Sequence, residues 1–283
     1  MALSIIILTY NADATIGRTL AASSELSDDI HVIDSGSTDR TLEIAQSFGA
    51  HIQHHGFENY GAQRNWAIAN TVLKYQWELH LDADERPTPE LIAAIRDLAR
   101  RGFPGDVVGY FIPRLVHFMG GAIRHGGMYP IWHMRLFQRG RGRCEDRRYD
   151  QHFLVDGPTA QLNHPMIDDI RMSLAEWVTR HNRWAEAEAD ELESGTNPDQ
   201  LVKARLDGNP IERKRSLRRG YNRLPLLWRA FGLFLYRYII RLGFLDGRRG
   251  LIFFVLQTFW FRFLVDAKLY ERTLARENAR NVV

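Results

Sequence analysis

One cysteine, Cys144, stands in the 283 residues of this chain. That scarcity excludes an intramolecular disulfide and any multi-cysteine metal site, and it fits a reducing compartment. The chain opens directly on the strand-like run Leu3-Ser4-Ile5-Ile6-Ile7-Leu8, with neither a basic n-region nor a small-residue cleavage site, so no signal peptide is expected. Internal repeats and low-complexity segments are absent. A spanning helix wants about 20 predominantly apolar residues with few charges. Residues 224–245 are rich in Leu, Phe, Tyr and Ile but carry Arg229, Arg237 and Arg241, and residues 251–261 are apolar but too short to span.

What is present is unevenly charged. The net charge is +3, yet residues 201–283 hold 18 Lys+Arg against 6 Asp+Glu, a net of +12, and the other 200 residues a net of −9. An acidic half and a basic, aromatic tail suggest two tasks. A basic tail can face nucleic acid or an anionic membrane. The hydrophobic content of this one favours the membrane surface, and no nucleic-acid partner is expected.

Residues 1 to about 115 alternate strand and helix signals. Strands are expected at residues 3–9, 30–33, 51–54 and 77–81, with helices near 16–21, 38–48, 63–72 and 87–100. The last opens on Thr88-Pro89-Glu90, an N-cap, a proline and an acidic first turn. This βαβα order predicts an α/β fold: a mostly parallel sheet with helices on both faces. Ligands bind such sheets at the carboxyl ends of the strands. Three polar clusters fall there: Thr9-Tyr10-Asn11, residues 34–39, and residues 82–85. Beyond Gly109 the pattern changes to strands at 110–112 and 134–137, a glycine-rich loop (Gly120, Gly121, Gly126, Gly127) and an arginine-rich stretch at 139–148. A helix follows at 174–192, ended by residues 195–198.

Asp82 and Asp84 lie two residues apart at a strand end. Two such carboxylates can meet one hard divalent cation through oxygen ligands, and such a cation neutralises phosphate charge. Alone, Asp-x-Asp is common among solvated loop acids. Here it comes with Ser4-Ile5-Ile6-Ile7-Leu8-Thr9-Tyr10-Asn11, Val32-Ile33-Asp34-Ser35-Gly36-Ser37-Thr38-Asp39, Gln63-Arg64-Asn65 and Leu81-Asp82-Ala83-Asp84-Glu85. This set, over roughly residues 1–160, resembles glycosyltransferase family 2, and most of all its bacterial lipopolysaccharide-core and exopolysaccharide branch.

The resemblance implies a GT-A fold and an inverting, hexosyltransferase-type enzyme. It implies a nucleoside diphosphate sugar donor, of UDP type, and Mg²⁺ or Mn²⁺. Carried over by position, Thr9, Tyr10 and Asp34 border the nucleotide base and ribose, Arg64 lies near the base or diphosphate, and Asp84 with Asp82 serves the metal. Many members have a second acid directly after the position of Asp34, where this chain has Ser35, so the resemblance does not fix uridine. The family's catalytic base comes from a later acidic pair. The candidates are Glu145, Asp146 and Asp150, with the best match at Tyr149-Asp150-Gln151-His152-Phe153.

Inverting transfer needs a base for the acceptor hydroxyl and charge stabilisation for the departing diphosphate. Asp150 is the expected base, acting late because a free Asp has a pKa of about 3.9. His152 is the rival, with a better-matched intrinsic pKa. Arg135 could hold donor phosphate or fix a lid, and Trp132 and His133 could stack on a sugar or pack in the core. The glycines at 120–127 are read as the hinges of a mobile acceptor loop. Trp177, His181 and Trp184 share one helix face, which reads as core.

The expected layout is residues 1–163 as the GT-A domain, 164–200 as a helical extension and 201–283 as a membrane-associating tail. Taken as one helix, residues 224–245 place Arg229, Arg237 and Arg241 within one arc. Leu227, Trp228, Phe231, Leu235, Tyr238, Ile239 and Leu242 lie opposite, the pattern of an interfacial helix, although Leu233 and Ile240 intrude on the polar arc. The alternative is a soluble helical subdomain. The expected enzyme works at the cytoplasmic face of the plasma membrane on a growing, lipid-linked surface glycan. Its rivals are a polyprenyl-phosphate glycosyltransferase, for which the arginines at 139–148 could bind phosphate, and a non-catalytic membrane-bound scaffold.

Overall fold

A computed structural model describes residues 3–145, 150–194 and 204–281. The chain divides into two compact units: residues 1–122 with 129–171, and residues 123–128 with 172–283.

The first unit begins with β1 (Leu3–Thr9), buried along its whole length. That suits a central parallel strand covered on both faces. In α1 (Ile16–Ser24), Ile16, Thr19, Leu20 and Ser23 turn inward, the 3.6-residue stripe of an amphipathic helix. There follow β2 (Ile30–Asp34), α2 (Thr41–Ser47), β3 (His51–His54), α3 (Tyr60–Asn70), β4 (Trp77–Asp82), β5 (Glu85–Pro87) and α4 (Pro89–Arg101). The Thr88 hydroxyl caps α4 by accepting from the Leu91 N–H, and Arg100 and Arg101 sit in its last turn. Cap and cations each satisfy or complement orphan groups at a helix end.

The remainder of the unit is β6 (Gly109–Phe118), β7 (Gly121–Ala122), β8 (Ile131–Gln138), β9 (Gly142–Cys144), β10 (Phe153–Val155), β11 (Thr159–Gln161) and β12 (Met166–Ile170). One sheet runs β3-β2-β1-β4-β8-β6-β12-β5, with β7 and β11 also on β6, and β9 and β10 form a separate hairpin. β1 to β4 are mutually parallel, whereas β8 lies antiparallel to β4 and β6. The α/β architecture expected from the strand and helix signals is therefore the one found. Ile5, Ile7, Leu20, Leu79, Leu81 and Ile95 meet in its core, each such burial contributing about 1.5–3 kcal/mol. The register places Thr9 opposite Asp34 and Leu8 opposite Asp82. Three of the polar positions thus arrive at one carboxyl edge because their strands are parallel and in phase.

The second unit is helical. α5 (Leu174–Glu193) starts at a reciprocal capping box between Ser173 and Glu176. Its expected stop at residues 195–198 lies outside the described residues. Trp177 and His181 are buried and stacked at 3.4 Å, as the core reading of that stripe requires. Burial pulls the His181 pKa down to about 4, its ring nitrogens meeting the Trp177 carbonyl and the Gln257 side chain. α6 (Pro210–Asn222) is followed by α7 (Trp228–Leu235), a π-helical turn at Tyr236–Ile240, a 3-10 turn at Gly243–Asp246, α8 (Gly247–Phe254), a second π-helical stretch at Val255–Trp260 and α9 (Phe261–Asn281).

Two expectations about this unit are corrected. Residues 224–245 are not one straight helix: α7 starts only at Trp228, the backbone loosens at Tyr236, and Leu242 adopts a left-handed conformation. Nor do the three arginines share an exposed face. Arg229 is buried in a bidentate pair with Asp266, which also accepts the Leu227 N–H. A helical projection has no access to a partner 37 residues away. Arg237 is half-buried beside Met128, and only Arg241 is exposed. Of the apolar arc, Trp228, Phe231, Leu235, Ile239 and Leu242 are exposed, whereas Leu227 and Tyr238 are half-buried. The 123–128 loop is also not free. Its Gly126 N–H donates to the Arg241 carbonyl, and any Cβ on Gly126 would strike Phe254.

Candidate active site

Asp82 ends β4, and its carboxylate lies between two buried guanidinium groups. Arg64 on α3 donates to Oδ1 at 2.6 Å, and Arg135 on β8 donates to Oδ2 at 3.1 Å. Arg135 also donates to Glu85 at 2.6 Å, while the other Glu85 oxygen accepts the Asp82 N–H. Burial works to raise the Asp82 pKa, but Arg64 and Arg135 outweigh it and hold the carboxyl below its ordinary range. Burial instead pushes Glu85 up, and the nearby carboxylates Asp82 and Asp168 add to the rise against Arg135. Burial alone would lower Arg135, yet Glu85 and Asp82 hold it more firmly cationic. Arg64 Nη1 and Arg135 Nε are buried without a hydrogen-bond partner among the described residues. Charged donors left this way suit an incoming anion.

Asp84 follows Asp82 two residues on, half-buried, with its carbonyl accepting the Asp169 N–H. Among the described residues no group of three or more His, Cys, Asp or Glu is arranged to hold a metal. The Glu85 oxygens are both engaged, and so are those of Asp82. A hard cation here would therefore rest chiefly on Asp84, its shell completed by substrate phosphates and water, the usual manner of Mg²⁺.

The ends of β1 and β2 carry cross-linked loops. Asp34 is buried, and its carboxylate accepts the Gly36 and Ser37 N–H groups at 2.8 and 2.9 Å and the Ser37 hydroxyl. Its carboxylate therefore shapes the 35–38 turn, where Gly36 takes a positive φ of 97°. Asn11 accepts the Thr38 N–H at 2.8 Å, tying the β1 and β2 ends together. Thr9 carries a buried hydroxyl without a partner among the described residues, and Tyr10 is exposed.

α3 is the mount for both sides of the site. Gln63 hydrogen-bonds Ser35 and His55. Arg64 reaches Asp82 and lies over the Phe153 ring at 4.9 Å. Asn65 grips the Cys144 backbone at both its N–H and its carbonyl. Gly61 lets the Glu145 carbonyl approach where a Cβ would clash. Three consecutive residues thus fix three different segments, which is the physical content of the Gln63-Arg64-Asn65 motif. The sequence reading gave Gln63, Asn65, Gly61, Asn11 and Glu85 no role in binding or catalysis. Their presence inside or beside the quoted motifs was the available signal.

On the hairpin, Glu145 is buried and accepts from the His152 N–H at 2.9 Å and from its Nδ1 at 3.0 Å. The His152 Nε2 faces Asp150 at 3.8 Å. Asp150 is held at a positive φ of 55°, a conformation rare outside glycine. The candidates Glu145, Asp150 and His152 are therefore brought together, whereas Asp146 lies outside the described residues. Cys144 cannot serve as a nucleophile, because burial raises its thiol to about 11. Among the arginines at 139–148, Arg139 and Arg141 are bound to the Leu73 and Asp156 carbonyls, and Arg147 and Arg148 lie outside the described residues.

Residues 4–147 match the model of glycosyl transferase family 2, which is half of the chain. The protein belongs to glycosyl transferase family 2. It is thus a glycosyltransferase of GT-A architecture, with the Asp-x-Asp carboxylates at the β4 edge of the family domain. The lipopolysaccharide core biosynthesis glycosyltransferase LpsC of Rhizobium meliloti is 24% identical over 204 residues, 69% of this chain and 74% of that protein. An uncharacterized glycosyltransferase of Rickettsia bellii is 37% identical over 89 residues, 31% of this chain and 30% of that protein. Among solved structures, glucosyl-3-phosphoglycerate synthase of Mycobacterium tuberculosis in complex with Mn²⁺, UDP and glucosyl-3-phosphoglycerate aligns at 15% identity and a TM-score of 0.45. That alignment covers 71% of this chain and 82% of the other.

Proposed function

We propose that this family 2 enzyme transfers a sugar, with inversion, from a nucleoside diphosphate sugar of UDP type. The acceptor is a growing lipid-linked surface glycan, a lipopolysaccharide or exopolysaccharide, at the cytoplasmic face of the plasma membrane. The observation that carries the reading is the Arg64–Asp82–Arg135 cluster beside Asp84, with cationic donors that have no partner among the described residues. Thr9, Tyr10 and Asp34 border the base and ribose, and Arg64 lies near the diphosphate. Mg²⁺ or Mn²⁺ held by Asp84, with Asp82, would supply charge neutralisation for the departing diphosphate. Asp150 takes the acceptor hydroxyl proton as the new glycosidic bond forms and the bond to the diphosphate breaks. His152, oriented by Glu145, is the alternative base. Residues 1–163 carry donor binding, 164–200 extend them, and 201–283 provide membrane contact. The match to LpsC supports the lipopolysaccharide assignment.

The test is a thermal-shift screen of UDP- and GDP-sugars with and without Mn²⁺, followed by donor hydrolysis. A ligand at 100 times its Kd raises native stability by about 2.7 kcal/mol. A metal-dependent shift with one donor class is expected. No shift with any donor, and no hydrolysis, would sink the reading and leave the scaffold alternative.

A further inference from the structure

The chain between α7 and α9 reverses direction through a tip that gathers two kinds of exposed residue. Ile239, Ile240, Leu242, Phe244, Leu245 and Leu251 are exposed there, Ile240 by 68% and Leu245 by 55%. Arg241, Arg248 and Arg249 are exposed among them. The 123–128 loop, part of the same unit, adds the exposed Arg124. Residues 223–265 contain seven arginines and one acid, Asp246. That one carboxylate is turned inward, its side chain 4% exposed. It accepts the Arg124 N–H at 3.1 Å, the His125 N–H at 3.0 Å and pairs with His125 Nδ1 at 2.7 Å. The tip therefore shows solvent guanidinium groups and hydrocarbon, with its own acid sequestered.

We infer that the tip formed by residues 239–252 together with the 123–128 loop enters the headgroup layer of an anionic phospholipid bilayer. The inference rests on the membrane contact proposed above and names the surface that makes it. Interleaved arginines and apolar side chains match a layer where phosphates lie directly above acyl chains. A second copy of this chain is a poor occupant, because it would set four arginines against four. Full crossing is also disfavoured. The helical stretch Gly243–Arg280 is long and apolar enough to span by length and composition. Its charge-free run, however, is only the 12 residues 250–261, about 18 Å at 1.5 Å per residue against a hydrocarbon core of about 30 Å. Beyond it, Arg262, Lys268 and Arg272 are tied to Glu188 and Glu186 on α5, and such charges are costly in hydrocarbon.

The test is co-sedimentation of the full-length protein with phosphatidylcholine vesicles, with and without phosphatidylglycerol, at low salt. Wild type is expected to sediment with the anionic vesicles only. Combined R241E, R248E and R249E should lower partitioning by about 100-fold, while R213E with R219E, on exposed positions of α6, should leave it unchanged. As a measurement independent of the charge variant's folding, Leu245→Cys carries a polarity-sensitive fluorophore, the buried Cys144 being unreactive. Its emission should shift to the blue on adding anionic vesicles, whereas the same label at Leu217→Cys should not move. Wild type that stays in the supernatant overturns the membrane reading itself. Sedimentation of wild type and the triple variant alike, or a label at 245 that does not respond while the protein sediments, overturns the tip alone. A dimer that the triple variant dissolves, without lipid binding, also overturns it.

Discussion

Asp82 and Asp266 are both bound by arginine, and they sit in different settings. In the catalytic unit Asp82 lies between Arg64 and Arg135, yet its side chain is 30% exposed and both guanidinium groups keep an unpartnered nitrogen among the described residues. In the helical unit Asp266 is 1% exposed. Arg229 Nε and Nη2 donate to it, Nη1 donates to the Asn222 carbonyl, and the Leu227 N–H completes the set. The pair chemistry is the same, but saturation differs. A buried ion pair whose lone pairs and protons are all met repays its desolvation only in part and fixes geometry. A cluster left open on one side keeps charge in reserve for a ligand. These two arginine-bound carboxylates thus differ in saturation and not in charge.

The largest effect should come at the open site. Asp84→Ala should reduce transfer to background and remove metal-dependent donor binding, with the melting temperature nearly unchanged. Activity assays beside calorimetric donor titration, with and without chelator, check this, and full activity would break the metal half of the comparison. Asp150→Asn should lower kcat by about 10²–10⁴-fold, the range for a positioned base, with donor affinity retained. Normal turnover in that variant, with a dead His152→Ala, would move the base to His152.

The closed pair should behave oppositely. Asp266→Ala leaves Arg229 buried and unpaired, which typically costs about 3–5 kcal/mol of stability. Urea denaturation reads that cost. The folded fraction should keep its affinity for donor, so a selective loss of donor binding at unchanged stability would erase the distinction drawn here.

The smallest effect is a pH dependence. His181 is held neutral in the fold down to about pH 4, against an ordinary value of 6.5. Between those values the unfolded chain binds the extra proton, so stability falls as pH drops through this window and is fully retained above it. The loss amounts to at most about 3 kcal/mol at about 1.36 kcal/mol per pH unit. Melting temperatures of wild type and His181→Phe across pH 4–7 should converge toward the acid end. Parallel curves would show that burial does not depress this histidine.

The strands and helices of the first hundred residues were legible because their side chains repeat with period 2 or 3.6 and their caps are local. The Thr88-Pro89-Glu90 start and the run ending at Asp82 needed no partner elsewhere in the chain. The short strands β5, β7 and β9–β12 were not legible, since two to five residues carry too little pattern and exist because a neighbouring strand pairs with them. The same limit applied to the tail. Its apolar arc was visible in sequence, but the burial of Arg229 depends on Asp266, and the reversal at Leu242 on backbone geometry.

The sequence by itself determined the chemistry available: Asp82, Asp84, Arg64, Asp150 and His152, a family signature, and a basic tail. Those follow from residue identity and spacing along the chain. Only the tertiary structure decided how that chemistry is distributed. It set Arg135 and Arg64 on either side of Asp82, bound Asp34 into its own turn, and made α3 the common mount for the segments at Ser35, Asp82 and Cys144. It also took Arg229 out of solvent and left Arg241, Arg248 and Arg249 in it. Each of these depends on distances between segments far apart in sequence, which packing and hydrogen-bond saturation settle and local pattern does not.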